Sequence, residues 1–383
     1  MNTNCEHFGR CGGCTYLDIP YDAELKLKES DLLETLGEYA PYFTKLHPAP
    51  AESAYRNKME IAFGDDGPER NMALGMRKQR SFYEVATPTH CVLIHDDFKK
   101  IITYTLQHFT KAGEEVFHRK RHTGALRHLV LRRGHFTGEI LLNLSTTSTL
   151  KNPLDGYVAG LLALELEGNI VGILNSINDG VADAVKNENV TILHGQDFYM
   201  EEICGLRFKI SAFSFFQTNS DGAQKLYSIV KDYALGAGNK LAYDLYCGTG
   251  TIAQILSPSF DHVLGIEIVA DAVDAAKENT ALNNITNCQF YAGDVMELVK
   301  THTANPCVTI EDPPRDGLHP KAIPHILALN SPRLVYVACK PKSLTRDLAL
   351  LTAAGYQLEK IEGMDMFPRT PHVEAVALLN KIN

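Results

Sequence analysis

Cys339 ends the apolar run LVYVACKP, residues 334–341, where a strand-like segment gives way to a loop. A free thiol with a pKa of roughly 8.5 is mostly protonated at neutral pH, yet it is intrinsically very nucleophilic. Cationic groups nearby would raise its thiolate fraction, and Lys340, Arg315 and Arg346 are the candidates. The alternative is a small residue packed at a strand end, which is the commoner role of a single cysteine.

A glycine-rich turn indicates a cofactor site. The segment DLYCGTGTIA, residues 244–253, ends a strand with an acid and then opens into a helix. Glycines let the backbone approach a ligand, and the N-terminus of a helix offers unpaired N–H groups. The run departs from the GxGxxG pattern of dinucleotide-binding proteins and suits S-adenosylmethionine better than NAD. The alternative is a simple glycine turn beside a surface glutamate.

Acidic residues end successive predicted strands in the same half of the chain. They are Asp244, Glu267, Asp294 and Asp312. Open α/β sheets bind ligands at the carboxyl ends of their strands, and an acid about 20 residues after the glycine turn can bind ribose hydroxyls. A ligand that carries an amine, a ribose and a sulfonium would therefore find complementary groups at this edge.

A nucleophilic thiol beside an alkylating cofactor fits a specific chemical problem. Carbon 5 of uracil is too weak a nucleophile to take a methyl group directly. Thiolate addition at carbon 6 gives carbon 5 carbanion character, and a base must later remove the carbon 5 proton so that the thiol can leave. Glu374, in FPRTPHVEAVALL at residues 367–379, stands before the last apolar strand and is a candidate base. The alternative for Glu374 is a loop carboxylate.

Several motifs in this order resemble the RNA uracil-5 methyltransferase family over nearly the whole chain: DLYCGTGT, DPPRDGL, VACKP and HVEAVALL, together with FFQTN at residues 215–219. The resemblance implies that Cys339 is the nucleophile and Glu374 the proton acceptor in S-adenosylmethionine-dependent methylation of carbon 5 of a uridine. The cofactor-binding residues that it implies are Gln217, Tyr246, Gly248, Thr251, Glu267, Asp294 and Asp312.

Cysteines near the N-terminus have metal-ligand spacing. Cys5, Cys11 and Cys14 form CxxxxxCGGC, and Cys91 is the candidate fourth ligand. In a reducing compartment four thiolates suit either structural zinc or an iron–sulfur cluster, and chance clustering is the alternative. Similarity to the cluster-bearing branch of the family implies a [4Fe–4S] cluster on these four cysteines. The other cysteines lie in or beside apolar runs and are interpreted as core residues: Cys204, Cys247, Cys288 and Cys307.

The partner that the resemblance implies is RNA. The basic stretch FHRKRHTGALRHLVLRRGH, residues 117–135, is a candidate for phosphate contact, including Arg132 and Arg133, or else a solvated hairpin edge. Phe213, Phe215 and Phe216 are candidates to stack on the target base, although core packing is expected for at least two of them. Similarity to short, cluster-bearing members without the N-terminal TRAM barrel implies a uridine in 23S ribosomal RNA as the target. The T-loop uridine of transfer RNA is the second choice.

Length and pattern predict the elements that position these groups. We expect an α/β fold in which residues 1–52 form a cysteine-cluster segment and a helix. Residues 53–215 would form a sheet-rich central RNA-binding domain, from which Cys91 returns to the cluster. Residues 216–383, where strands and helices alternate, would form a Rossmann-like S-adenosylmethionine-dependent methyltransferase domain.

Composition narrows the class of protein. The chain has 383 residues, of which 45% are apolar and 22% charged, as expected for globular domains. Its net charge of -9 argues against indiscriminate binding to polyanions. Because no signal peptide and no stretch of roughly 20 apolar residues is present, we expect a cytoplasmic monomer without a membrane segment.

Two other functions fit parts of the pattern. A methyltransferase for the exocyclic amine of adenine would use EDPPR, residues 311–315, as its catalytic loop and would need no thiol. A non-catalytic, cluster-containing RNA-binding protein would not bind S-adenosylmethionine. Replacement of Cys339 tests the first alternative, and cofactor binding tests the second.

Overall fold

The described residues of this computed structural model are 5–382, apart from 68, 70, 82–83, 182–188, 237 and 303–304. They form a central sheet, a C-terminal sheet and a short hairpin between the two. In this part of the chain every helix is too short or too polar to span a bilayer.

The N-terminal segment packs on the C-terminal sheet. Helix α1 (Tyr21–Leu36) ends at Gly37, whose positive φ of 55° favours glycine, as the sequence pattern predicts. A 3₁₀ turn (Gly37–Tyr42) leads into strand β1 (Phe43–His47), which lies at the edge of the C-terminal sheet. The bounds 1–52, 53–215 and 216–383 stay predictions about folding units, and the first segment supplies a strand to the last sheet.

The central sheet is antiparallel except where β6 and β7 pair. Helices α2 (Asp96–Ala112) and α3 (Asp155–Leu162) accompany it, and their buried side chains join the sheet's apolar core. Its strands, in the order β4-β3-β2-β5-β6-β7-β8, are β2 (Lys58–Asp66), β3 (Asn71–Arg77), β4 (Val85–Ala86), β5 (Leu126–Arg133), β6 (Glu139–Thr146), β7 (Asn169–Ile177) and β8 (Val190–Gly195).

The hairpin β9 (Phe198–Ile203) and β10 (Leu206–Ser211) precedes the C-terminal half. Its buried side chains, among them Tyr199 and Phe208, join the core that continues under the C-terminal sheet. A single apolar core therefore runs from the hairpin into the C-terminal half.

The C-terminal sheet has the order β1-β16-β17-β15-β14-β11-β12-β13, and β17 runs antiparallel to both of its neighbours while the other pairs are parallel. Alternating strands and helices produce this Rossmann-like sheet, which confirms the predicted α/β fold class. The elements are α4 (Ser220–Ala234), β11 (Leu241–Leu245), α5 (Thr251–Leu256), a 3₁₀ turn (Ser257–Ser259), β12 (His262–Glu267), α6 (Ala270–Leu282), β13 (Cys288–Ala292), α7 (Val295–Thr301), β14 (Val308–Glu311), α8 (Ile323–Ala328), β15 (Arg333–Ala338), α9 (Pro341–Ala353), β16 (Tyr356–Met364) and β17 (Glu374–Lys381).

Candidate active site

Strand pairing brings Cys339 and Glu374 together. Ala338 at the end of β15 pairs with Ala375 in antiparallel β17, so the next position along the ladder sets Cys339 opposite Glu374. Directly opposed residues of an antiparallel pair have Cα atoms about 4.5–5.5 Å apart. The thiol and the carboxyl therefore share the carboxyl end of β15.

Both side chains lie on the face of the sheet that α4 covers. Val337 and Val376 pack in the apolar core beneath α4, and side chains alternate along a strand. Cys339 and Glu374, each two residues away, therefore point to the same side. Asp312 reaches this side in the same way, because Ile310 belongs to the same core.

The electrostatics of this group follow from burial. Burial raises the pKa of the Glu374 carboxyl to about 8, and the neighbouring Asp312 adds to the rise while Arg315 opposes it. Burial likewise raises the pKa of the Cys339 thiol to about 11; Glu374 and Asp312 add to that rise, and Arg315 again lowers it. The thiol is therefore protonated at neutral pH in the unliganded protein, and Glu374 is near half-ionisation at pH 8.

The cations near the thiol differ in what they do. Arg315 is exposed and lowers the pKa of the thiol. Arg346 is committed elsewhere, since its Nε donates to Asp347 at 2.8 Å and its Nη2 donates to the carbonyl of Asp316 at 2.8 Å. Of the candidates from the sequence, Arg315 is thus the one that lowers the pKa of Cys339.

Two further acids extend the group toward the glycine turn. Burial raises the pKa of Asp312 to about 7. Burial also raises the pKa of the Asp244 carboxyl to about 8, with additional contributions from Asp312 and Glu267. Oδ2 of Asp244 accepts from the amide of Ala253 at 2.9 Å, and its buried Oδ1 has no hydrogen-bond partner among the described residues. A cationic ligand would offset the mutual repulsion of these acids.

The glycine turn adopts left-handed backbone conformations. Tyr246, Gly248 and Gly250 have φ values of 63°, 53° and 71°. A Cβ on Gly250 would come within 2.6 Å of Cε1 of Phe290, whereas nothing lies within 4 Å of the corresponding position on Gly248. Gly250 is therefore required by conformation and packing, and Gly248 leaves open space above the turn.

Glu267 braces this turn. Its Oε2 accepts from the amide of Gly248 at 3.1 Å and its Oε1 accepts from the amide of Val269 at 2.9 Å. Thr251 is buried as the first residue of α5, directly after the turn. Glu267, Gly248 and Thr251 are thus close together, as the sequence predicts for a cofactor site.

Tyr246 and Asp294 lie on the other side of the same edge. Tyr246 packs partly on the core of the opposite sheet face, where burial raises the pKa of its hydroxyl and Glu311 and Asp294 add to the rise. Oδ1 of Asp294 accepts from the amide of Met296 at 2.8 Å and caps α7. The predicted cofactor residues therefore surround the edge of the sheet rather than share one face.

Tyr227 is a residue of this site that sequence reasoning missed. It is buried on α4, where burial raises the pKa of its hydroxyl and Asp312, Asp244 and Glu374 add to the rise. The side chain of Gln217 lies near this hydroxyl and lowers its pKa. Its helical spacing is that of a core residue, so nothing in the sequence distinguishes it from its apolar neighbours.

The three phenylalanines before Gln217 have different environments. Phe216 is buried and Phe213 half-buried, and both pack on the core. Phe215 is 75% exposed. Among these candidates, Phe215 is therefore the ring available to stack on a base.

The arginines of the basic stretch are largely internal. Arg132 is 1% exposed; its Nε donates to the carbonyl of Ala212 at 3.0 Å and its Nη2 to the carbonyl of Ser214. Arg133 is also buried and pairs with Asp97 at 3.1 Å. The expectation that these two arginines contact phosphate is wrong, because β5 lies inside the sheet with both faces covered.

The exposed part of the stretch is its hairpin tip. Lys120 and Arg121 are exposed there, next to a β-bridge between His118 and Thr123. The tip, rather than β5, is therefore the part of this stretch that is accessible to phosphate.

The four N-terminal and loop thiols lie near one another. Burial raises the pKa of Cys14 to about 12, and Cys91, Cys11 and Cys5 add to the rise. The amide of Gly13 approaches Sγ of Cys11 at 3.4 Å. Among the described residues, however, no group of three or more His, Cys, Asp or Glu side chains is arranged to hold a metal ion.

The remaining cysteines are not all core residues. Cys247 is buried, and Cys288 and Cys307 are half-buried beside the core. Cys204 is exposed in the turn between β9 and β10, with a φ of 52°. Its interpretation as a core residue is wrong, because the apolar run beside it belongs to the hairpin strands.

Known proteins share this arrangement. The model of the tRNA (uracil-5-)-methyltransferase family matches residues 188–382. An uncharacterized RNA methyltransferase of Clostridium tetani is 42% identical over 384 residues, covering 100% of this chain and 84% of the relative. One of Staphylococcus aureus is 31% identical over 383 residues, covering 98% of this chain and 83% of the relative. The chain belongs to the tRNA (uracil-5-)-methyltransferase family.

A solved member has the same fold. The structure of Pyrococcus abyssi tRNA (uracil-54, C5)-methyltransferase in complex with S-adenosyl-L-homocysteine superposes with a TM-score of 0.80 at 28% identity, covering 96% of this chain and 86% of the other. The protein is accordingly an S-adenosylmethionine-dependent RNA uracil-C5 methyltransferase. Family membership defines the reaction class, and the roles of individual residues are a separate question.

Proposed function

We propose that the enzyme methylates carbon 5 of one uridine in a structured RNA, with Cys339 as the nucleophile and Glu374 as the proton acceptor. The observation that carries this proposal is the register of β15 and β17, which sets the thiol and the carboxyl opposite each other. A thiol and a base within reach of one pyrimidine ring are what the addition and elimination steps require.

The bond changes can be assigned to these two side chains. Cys339 gives its proton to solvent water and forms a bond from Sγ to carbon 6, while the electrons of the carbon 5–carbon 6 double bond shift into an enolate. Carbon 5 then takes the methyl group as the sulfonium carbon–sulfur bond breaks, which leaves S-adenosylhomocysteine. The carboxylate of Glu374 takes the proton from carbon 5, the bond from carbon 6 to Sγ breaks, and the carbon 5–carbon 6 double bond returns.

The pKa of Glu374 supports its proposed role as the base. A base works best when its pKa lies near the working pH, and burial raises the pKa of Glu374 to about 8. Burial raises the pKa of Cys339 to about 11, so the attacking thiolate is a minor species near neutral pH, and Arg315 lowers that pKa. Glu374 must be ionised when it takes the carbon 5 proton, and a carboxyl with a pKa of about 8 can release that proton again near neutral pH.

The donor is proposed to bind around the glycine turn and the neighbouring strand ends. The open space over Gly248 and the unpaired Oδ1 of Asp244 support this location. Negative carboxyl groups complement the ammonium and sulfonium of S-adenosylmethionine, and Glu267 is suited to ribose hydroxyls. The proposed contacts are Gln217, Tyr246, Gly248, Thr251, Glu267, Asp294 and Asp312.

We also propose that Cys5, Cys11, Cys14 and Cys91 hold a [4Fe–4S] cluster with a structural role. The first three lie on a segment that docks beside β3, where the amide of Gln79 donates to the carbonyl of Arg10 at 2.8 Å. The backbone amides of Leu93 and Ile94 lie near the Cys91 thiol and lower its pKa, and backbone amides beside the sulfurs are common around iron–sulfur clusters.

Metal analysis tests the cluster. Aerobically handled protein should be brown and contain iron and sulfide, and Cys11→Ser should be colourless and less stable. A protein with zinc and no iron would favour structural zinc. A brown Cys11→Ser variant with unchanged iron would contradict the assignment.

The proposed target is a uridine of 23S ribosomal RNA, as expected from resemblance to the short, cluster-bearing branch. A transfer RNA T-loop uridine is the second candidate, and the similarity to the Pyrococcus abyssi tRNA (uracil-54, C5)-methyltransferase favours it. In either RNA the base must leave its stack to reach the thiol, at a cost of a few kcal/mol that RNA binding offsets. Phe215 is the ring proposed to stack on it.

The test uses RNA containing 5-fluorouridine together with S-adenosylmethionine. Fluorine cannot leave as a proton, so the covalent protein–RNA adduct should persist, and peptide mapping should find it on Cys339. Ribosomal and transfer RNA fragments in parallel identify the target. An active Cys339→Ala variant would contradict the mechanism and favour an exocyclic amine methyltransferase.

A further inference from the structure

The loop that leads to Glu374 is held by buried charges of the N-terminal helix. Residues 365–373, here named the Glu374 loop, connect β16 to β17, and Met364 and Glu374 at its two ends are register partners. The loop therefore leaves and rejoins the sheet at one point. Whatever holds the loop acts close to the position of the Glu374 carboxyl.

Lys28 is the centre of this attachment. It lies on α1 and is 1% exposed, and its Nζ is 2.8 Å from Oδ1 of Asp365, 3.2 Å from the carbonyl of Phe367 and 2.7 Å from Oε1 of Glu24. An ammonium group has three donors, so these contacts use all of them. Tyr21 adds a fourth contact, because its hydroxyl donates to Oδ2 of Asp365 at 2.9 Å.

Arg369 attaches the loop to the same helix and to the segment before it. Its φ of 70° is unusual for a residue with a side chain and persists where the surroundings enforce it. Its amide donates to Oε1 of Glu24 at 2.6 Å, and its carbonyl accepts from the amides of Thr15 at 2.7 Å and Tyr16 at 3.2 Å. The segment that follows Cys14 is thereby joined to the Glu374 loop.

Other parts of the chain complete the attachment. The hydroxyl of Tyr55 donates to the carbonyl of Pro368 at 2.9 Å, and Nδ2 of Asn219 donates to the carbonyl of Met366 at 2.8 Å. Four consecutive residues of the loop, 366–369, thus have a backbone carbonyl fixed from outside the loop. A loop held at so many points has one position rather than several.

The buried charges of this attachment indicate a role other than stabilising the fold. A buried ion network is often no more stabilising than apolar side chains of similar volume, whereas it restricts geometry closely. A general base must come within roughly 2.6–3.2 Å of the proton that it takes. The nucleophile does not share this dependence, because Cys339 lies at the junction of β15 and α9, outside the Glu374 loop.

We propose that Lys28, with Glu24, Asp365 and Arg369, positions Glu374 for the proton-abstraction half of the reaction. This inference rests on the proposed roles of Cys339 and Glu374. Lys28 acts through the loop and is a positioning residue. Its loss should slow release of the methylated RNA and leave formation of the covalent adduct intact.

The experiment separates the two half-reactions in the full-length protein. Adduct formation is measured on 5-fluorouridine RNA, and turnover is measured on the same RNA with uridine. Lys28→Met should reduce kcat about 10- to 100-fold, as expected for a displaced catalytic group, with an unchanged rate of adduct formation and an unchanged kcat/KM for RNA. Methylated RNA should then accumulate covalently bound to the protein. Lys26→Met, on the exposed side of α1, is the matched control and should behave as wild type.

A milder variant covers the case in which Lys28→Met does not fold. Tyr21→Phe removes one hydroxyl from Asp365 and keeps the ring, and it should slow release several-fold in the same direction. Equal losses in adduct formation and turnover would assign Lys28 a merely structural role and overturn the proposal, as would unchanged release in a folded Tyr21→Phe protein. If wild-type protein forms no adduct on Cys339, the proposed function itself fails, whatever the variants do.

Discussion

Cys339 and Glu374 face each other across β15 and β17, one position beyond the pair Ala338 and Ala375. Both lie at the ends of strands, and their side chains share one buried electrostatic environment. The ionisation of the two groups is coupled, because the pKa of Cys339 increases when Glu374 is ionised. The predictions below follow from that coupling and from the groups around it.

Glu374→Gln should trap the enzyme on its substrate. The amide cannot take the carbon 5 proton, so the adduct forms and does not resolve, and multiple turnover should fall by about 10²–10⁴-fold. Denaturing gels with radiolabelled S-adenosylmethionine should show methylated RNA bound to the protein. Cys339→Ala is the control and should give no adduct; a Glu374→Gln enzyme with normal turnover would assign the base elsewhere.

The pH dependence of stability has a defined sign. The pKa of Glu374 is about 8 in the folded protein against 4.5 for an ordinary glutamate, so between these values the folded state holds a proton that the unfolded state has lost. This contribution is complete below pH 4.5 and decreases as pH rises to about 8. Thermal unfolding should show that Glu374→Gln gains stability over wild type as pH rises from about 5.5 to 8.5. Glu38→Gln, on the surface, is the control for removal of a glutamate charge.

Donor binding should release protons. A cation near Asp312 and Asp244 favours their ionised forms and lowers pKa values that burial has raised to about 7 and about 8. Calorimetric titration near pH 7 in buffers of different ionisation enthalpy should therefore report proton release with S-adenosylmethionine. S-adenosylhomocysteine lacks the sulfonium charge and should release fewer. Equal proton counts for the two ligands would contradict this role of the acids.

Tyr227→Phe tests the role of the Tyr227 hydroxyl, which lies near Asp312, Asp244 and Glu374. Loss of the hydroxyl removes a polar group beside Gln217 and the acids of the proposed donor site, so the KM for S-adenosylmethionine should rise about 5- to 30-fold, equivalent to about 1–2 kcal/mol. Tyr233→Phe is a matched control, because Tyr233 lies on the same helix and its hydroxyl faces Glu362. A similar KM increase in both variants would indicate a general effect of α4.

Substitutions at Arg132 and at the hairpin tip should have different effects. The first should reduce stability, and the second should change RNA binding. Arg132→Ala removes donors from two buried carbonyls and should destabilise the protein by about 1–3 kcal/mol for each one left unpaired. Its effect should appear in thermal unfolding. Lys120→Ala with Arg121→Ala should leave stability unchanged and reduce the salt dependence of RNA binding. If RNA affinity and its salt dependence stay as in wild type, the phosphate contacts lie elsewhere.

Local signals in the sequence predicted much of the fold. The helix over residues 21–36 ends where Gly37 permits a positive φ, and the glycine turn after β11 follows from residues adjacent in the chain. Alternation of strands and helices predicted the Rossmann-like class, since each strand and helix is specified by its own short pattern. The motifs around Cys339 and Glu374 likewise identified the chemistry, because the needed side chain types are written in the sequence.

Long-range pairing decided the rest. Nothing local states that β17 inserts antiparallel beside β15, that Lys28 meets Asp365, or that Tyr227 faces three carboxyls. Arginine is usually exposed, yet both faces of β5 are covered, so Arg132 is buried and bonds to interior carbonyls. The sequence by itself determined which elements form and which groups can react, because those depend on near neighbours. Only the tertiary structure decided which groups meet and which are buried, because contacts and desolvation arise between segments that are distant along the chain.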